Sequence, residues 1–213
     1  MKRFHGKHWQ EHVRERVCPR FDQFGSLVLS RVLPAFDGIN EEAHALERRR
    51  YKELISGVHV ADEHDMWDAG EAMADLAFNE AMDHAVLLES MRFATLNLYS
   101  AALYHLTEQH LIDLVLRIHN NDQRHNRRPE EAIAWFKDAL GLDLSTLSSW
   151  PVIEQLRLVA NVVKHGEGDS AGKLRKIRPD LFVYPTLRGR VSAIETLRLV
   201  WVPEILAGDF RKF

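Results

Sequence analysis

The sequence predicts an all-α protein: a helical bundle built on a long central helix, with extra helices at its N-terminal end. Three observations carry this. From about Trp67 to His119 the chain has no proline and is rich in alanine and leucine, the composition of sustained helix. Apolar residues recur at helical spacing from there to His165, with short connections between. Helix punctuation follows, with Pro129, Glu130 and Glu131 opening one segment and Gly141 and Gly166 closing two.

Composition sets the bounds. The chain has 213 residues, 46% of them hydrophobic, enough for one sizeable core with elaborations. The expected division is an N-terminal helical extension (1–66), a helical core (67–182) and a C-terminal segment packing on the core (183–213). A net charge of −3 gives no global field toward nucleic acid. The charge is uneven, however. Residues 1–119 hold 13 Lys/Arg and 19 Asp/Glu, whereas residues 120–213 hold 15 and 12, so a polyanion prefers the second part. Cys18 is the only cysteine, which excludes an internal disulfide and suits a reducing cytoplasm. No apolar run reaches the length of a membrane span, and MKRFHGKHWQEHVRER lacks a signal-peptide core.

In chain order, residues 7–17 read as a short helix and Phe21–Leu33 as a second, stopped by Pro34. Residues 40–56 have a helical period through Ala43, Leu46, Tyr51, Leu54 and Ile55, with Arg48, Arg49 and Arg50 as a solvated basic run. GVHVADEHDM (57–66) is a loop or break. His59, Asp62, His64 and Asp65 are suitable metal ligands there, but their spacing matches no established signature, and no metal is expected. The 67–119 helix is unusually long, so a break is expected near Asn79. Residues 120–128 form a polar connection. Pro129–Leu140 is the next helix, and Ser149 is a candidate cap before Pro151.

Pro151 to Gly168, PVIEQLRLVANVVKHGEG, is the stretch on which function turns. At about 100° per residue, Glu154, Arg157, Asn161, Lys164 and His165 share a narrow arc. Val152, Ile153, Leu156, Val159, Ala160 and Val163 fill the opposite side, and Leu158 and Val162 flank the stripe. Such a helix belongs inside the fold, with its few polar groups sharing one cleft, interface or network. Lys164 and His165 lie in its last turn, where the helix dipole favours positive charge. GEGDSAGKLRKIRP follows. It lacks the glycine and Ser/Thr positions of a phosphate loop, and reads instead as a turn and a short helix capped by Asp169 or Ser170. Lys173, Arg175, Lys176 and Arg178 make it basic and suited to an RNA backbone.

The run LRLVANVVKHGEGDSAGKL, followed by RPDLF, resembles the last core helix of the HEPN superfamily (higher eukaryotes and prokaryotes nucleotide-binding domain). YHLTEQHLIDLV at Tyr104–Val115 is similar to its long central helix, with Glu108 the acidic residue among leucines. The likeness covers residues 83–182. It implies a small all-helical domain, usually dimeric, and in many members a metal-independent endoribonuclease of toxin–antitoxin, phage-defence or RNA-processing systems. The family signature is Arg, four to six residues, then His. His165 matches the His, and Asn161, Lys164, His165 and Gly166 look like a bacterial variant. The Arg departs: seven residues separate Arg157 from His165, and Leu158, Val159 and Ala160 hold the positions of the usual gap.

Two functions follow as expectations. In the first, His165 assists proton transfer from the RNA 2′-hydroxyl, Arg157 and Lys164 stabilise charge on the phosphorane-like state, Asn161 orients the imidazole or holds a phosphate oxygen, and Glu108 pairs with Arg157. No cofactor is needed. The partners are RNA, a second copy in a homodimer with its interface near the stripe, and a cognate antitoxin or other protein. In the second, the chain is a non-catalytic helical module for dimerisation or for RNA or partner binding, and the stripe is a buried polar network.

Overall fold

The computed structural model describes residues 6–58, 63–118 and 128–183, with the side chains of 63–65 excepted. It is all-α: no strand occurs among the described residues, and no described helix is long and apolar enough to cross a membrane. The candidate metal ligands His59, Asp62, His64 and Asp65, the connection at 119–127 and the segment after Val183 lie outside what is described. Seven α-helices are described: α1 (Gly6–His12), α2 (Cys18–Leu27), α3 (Ile39–Ser56), α4 (Glu63–Ile118), α5 (Pro129–Leu140), α6 (Trp150–His165) and α7 (Asp169–Ile177). The chain forms two compact units, Met1–Ser30 with Thr95–Phe213, and Arg31–Ala94. The boundary at residue 66, drawn from sequence, falls inside the second.

Proline shapes the N-terminal helices. Pro19 sits in the first turn of α2 and has no N–H to return to the preceding turn, which widens into a π-helical stretch over Val13–Val17. Helix therefore resumes at Cys18, not at Phe21. A second π stretch (Val28–Val32) leads into the 3-10 turn Leu33–Phe36 that carries Pro34. α2 docks through its rings, Phe21 against His110 and Phe24 against Tyr99, with centroids 5.5 and 5.9 Å apart.

In the unit Arg31–Ala94, α3 and the first part of α4 form a hairpin. Ile39 and Ala43 are buried on α3, Ala77 and Ala81 on α4. Arg50 forks onto Glu80 at 2.5 and 3.1 Å, and His84 Nε2 meets Glu42 Oε1 at 2.8 Å. These contacts explain why the expected break near Asn79 does not exist. α4 is one helix of 56 residues, and Asn79 is an exposed residue within it. Anchors on both sides of it, at Ala77, Glu80 and His84, hold the turn. Packing overrides the scarcity of long helices, as tertiary contacts usually override local preference.

In the other unit, Val115 of α4, Ala132 and Phe136 of α5, and Leu144 form a core cluster, with Trp135 and Trp150 packed against it. Glu130 and Glu131 sit in the first turn of α5, and Gly141 closes it at φ 67°, as the sequence signals indicate. The loop after it holds a 3-10 turn (Leu144–Thr146) capped by Asp143, which accepts from Ser145 N at 3.0 Å. Ser149 does not cap α6 through its hydroxyl. Its carbonyl takes the N–H groups of Val152 and Ile153 at 3.1 and 3.3 Å. Gly168, rather than Asp169 or Ser170, precedes α7.

The continuity of α4 has a direct test. Asn79→Pro removes a mid-helix bond and should cost about 3 kcal/mol, lowering Tm by roughly 6–12 °C in a chain this size. A melting curve unchanged by proline would mean that α4 is interrupted there.

Candidate functional site

α6 is apolar where it meets the core. Leu156, Leu158, Val159, Ala160 and Val162 are all buried. Leu158 and Val162 are thus core residues, not mere flanks of the stripe, while Val152 in the first turn is exposed. The polar groups left over divide between the two ends of the helix.

At the N-terminal end, Arg157 Nε and Nη2 donate to the two carboxylate oxygens of Glu154 at 2.8 and 2.5 Å. This fork raises the Arg157 pKa and lowers that of Glu154. Both side chains are partly solvated, at 33% and 41% exposure. A pair of that kind contributes little to stability, about 1 kcal/mol at most, but it fixes where the guanidinium points. It faces a cavity of about 220 Å³ whose lining includes Tyr104, Glu108, Glu130, Trp150, Glu154 and Arg157. Three carboxylates around one guanidinium give the cavity a negative balance, which disfavours a phosphate. Burial pushes the Tyr104 phenol above its ordinary range. The negative charge of Glu108, and the hydrogen bond to it, act in the same direction. Glu108 also faces His105 Nδ1 at 3.4 Å. The structure therefore lines one cavity with Glu108 and Arg157, but the partner of Arg157 there is Glu154 and not Glu108; Tyr104, Glu130 and Trp150 join them.

His165 is elsewhere. Eight residues after Arg157, it lies ~12 Å further along the helix axis and is absent from the cavity lining. Lys164 and His165 are both exposed in the last turn. Gly166 ends the helix at φ 70°, with its N–H on Val162 O at 2.8 Å. Asn161 is half-buried between these groups and α7, and its Nδ2 donates to Ser170 Oγ at 3.4 Å.

α7 packs back on α6 through Ala171 and Leu174, both fully buried. Its amphipathic register turns Lys173 and Lys176 to solvent. The two arginines do different work. Arg175 donates to both oxygens of Glu167 and lies over the Phe182 ring, 4.6 Å from its centroid. Arg178 forks onto Asp180 at 2.9 and 2.8 Å. They tie the turn before α7, and the 3-10 turn Pro179–Phe182 after it, to the helix. The exposed cationic face is thus made by Lys164, Lys173 and Lys176, with His165 beside Lys164.

Some of this was available to sequence reasoning. Tyr104 stands four residues before Glu108, a spacing that puts both on one face of α4. Glu130 and Trp150 reach the cavity only through the fold, and the Glu167 clamp on Arg175 crosses a turn that no helical period describes. No family model, curated protein or solved structure matches the chain.

The Tyr104 environment is testable by titration. Its phenol has a raised folded-state pKa, so its stabilising contribution is complete below the unfolded value of 10 and is lost as pH rises above it. Tyrosinate absorbance should show a step later than the ordinary tyrosine range, and Tyr104→Phe should remove that late step. A titration without a late step, or a late step that survives Tyr104→Phe, would contradict the geometry.

Proposed function

We propose that the chain is a non-catalytic HEPN-type helical module that binds RNA through the C-terminal end of α6 and the outer face of α7. One observation carries the reading. The three positions where the family spacing calls for a cation beside His165 are Leu158, Val159 and Ala160, and their exposures are 3%, 0% and 1%. Arg157, two turns back, is forked onto Glu154 in a carboxylate-lined cavity. Cleavage of a phosphodiester by this route needs a proton-transfer group and a charge-stabilising group at the same phosphate. Binding needs only accessible positive charge along the backbone, and Lys164, Lys173 and Lys176 supply it, with Asn161 and His165 as further polar contacts.

A second reading keeps some support from the exposure of His165 at a helix end. It is a metal-independent endoribonuclease in which Lys164, exposed next to His165, or a cation from another chain takes the charge-stabilising role without Arg157.

One pair of measurements separates them. Purified protein incubated with total RNA in excess chelator should leave the RNA intact. It should bind a short single-stranded RNA with an affinity that falls steeply with salt. Lys164→Glu, Lys173→Glu and Lys176→Glu should each weaken binding several-fold and flatten the log–log salt slope by about 0.7 per lost phosphate contact. Arg157→Gln should leave binding unchanged. Chelator-resistant cleavage that His165→Ala abolishes would establish the nuclease instead. Salt-insensitive binding, or none, would end the RNA reading.

A further inference from the structure

The cavity at the N-terminal end of α6 plays no part in RNA binding, and its shape and charge suit a different ligand. It lies within one unit, between α4, α5 and α6, and has a volume of about 220 Å³. That is the share of roughly seven water molecules at about 30 Å³ each, room for a small organic molecule. Leu111, Ile133, Trp150 and Ile153 give it an apolar wall. Tyr104, 8% exposed, is its most buried lining residue, whereas Glu130 is exposed and stands at its mouth. A concave, mostly apolar pocket with a few polar groups is the usual form of a small-molecule site.

The polar groups fix the sign of the ligand. Glu108, Glu130 and Glu154 line the cavity with a single guanidinium, that of Arg157. Arg157 is forked onto Glu154, so its charge is matched within that pair. Glu130 acts on Arg157 without bonding to it. Glu108 accepts from the Tyr104 phenol, and its side chain is 21% exposed. The charges of Glu108 and Glu130 both act on that phenol, which places them around one point. Two groups come near from outside: His105 faces Glu108 at 3.4 Å, and Lys173 acts on Glu154, but neither lines the cavity. Carboxylates drawn partly out of water without a matching cation are unfavourable, and a cation that reaches them is held more strongly than in water. A bare inorganic cation would answer the charge and leave the apolar wall against water. A cation carried on a hydrocarbon chain matches both, and Tyr104 and Trp150 add aromatic rings of the kind that attract such groups.

We propose that this cavity binds a small organic cation, an ammonium or guanidinium group on a short aliphatic chain, with the charged group at Glu108 and Glu130 and the chain against Leu111, Ile133 and Ile153. The site is separate from the lysine face of α6 and α7, and the assignment does not depend on RNA binding.

Titration of the full chain with n-butylammonium and with n-butylguanidinium, followed by NMR at the Tyr104 ring and the Trp150 indole N–H, should show saturable binding. A Kd of about 1 mM or lower is expected for a ligand of this size. n-Butanol has the same chain without the charge, and the ammonium ion has the charge without the chain. Each should bind at least about tenfold more weakly. The tighter of the two organic cations identifies the head group. Glu108→Gln and Glu130→Gln should each raise its Kd at least about tenfold, the loss expected of a charge-assisted hydrogen bond, with helical content unchanged. Glu131→Gln, at the exposed neighbour on α5 that does not line the cavity, should leave the Kd unaltered. The absence of a saturable shift with either organic cation overturns the proposal. So does n-butanol or the ammonium ion binding as tightly as they do. An effect of Glu131→Gln as large as that of Glu130→Gln overturns it too, because it marks general attraction to an acidic surface.

Discussion

The burial of one face of α6 is the constraint from which the functional geometry follows. Leu156, Val159, Ala160 and Val162 are at most 3% exposed, so this helix cannot rotate without lifting apolar surface into water. Fully burying a Leu or Val side chain contributes on the order of 1.5–3 kcal/mol. An ion pair as solvated as Arg157–Glu154 contributes a fraction of that, so the apolar contacts set the rotation and the polar groups accept where it puts them. It puts Arg157 over the cavity with Glu108 and Tyr104, and it puts Lys164 and His165 in solvent at the far end. Two chemically different environments then share one helix. One is a carboxylate-rich cavity. The other is a cationic edge, extended by α7 because Ala171 and Leu174 fix that helix against α6.

A similar logic runs through α4. Its length does not come from intrinsic helicity alone but from partners that change along it. Ala77 and Ala81 are buried in one unit, and Leu96, Leu103, Tyr104 and Val115 in the other. Ser100, buried on the same helix, is accommodated locally: its hydroxyl donates to the Leu96 carbonyl at 2.8 Å. Between Trp67 and Val86 the hairpin with α3 buries one side of the helix, at Ala77 and Ala81, and leaves Phe78, Met82 and Val86 exposed. Packing thus explains the continuity of the helix.

The fold class was legible because it rests on periodicity and composition, which are local. Gly141 and Pro129 mark the ends of α5 through their own backbone preferences, and the sequence states those outright. Asn79 misled because a polar residue in a long helix looks like a terminus when its neighbours' partners are unseen. Ser149 misled because a hydroxyl before a helix need not point at it. The polar stripe was legible as a set of positions but not as a site. Helical angle groups Arg157 with His165, whereas the rise of the helix separates them, and only the rise decides whether both reach one phosphate. Arg175 and Arg178 read as RNA ligands, and the structure adds partners the sequence does not announce, Glu167, Phe182 and Asp180. Tyr104 was within reach, since it lies one turn from Glu108. Glu130 and Trp150 were not, since helix packing alone brings α4, α5 and α6 around the cavity.

The central claim is that the two ends of α6 are separate sites, and that RNA meets only one. Isotope-edited NMR of the protein titrated with a short RNA reads this residue by residue. The account predicts that the His165 ring signals, the Asn161 side-chain amide and the backbone amides of Lys164, Lys173 and Lys176 shift together. The Arg157 Nε signal and the amides of Tyr104 and Glu108 should stay in place. An Arg157 Nε signal that shifts in step with the His165 ring, at the same RNA concentration, would join the two ends into one site and contradict it.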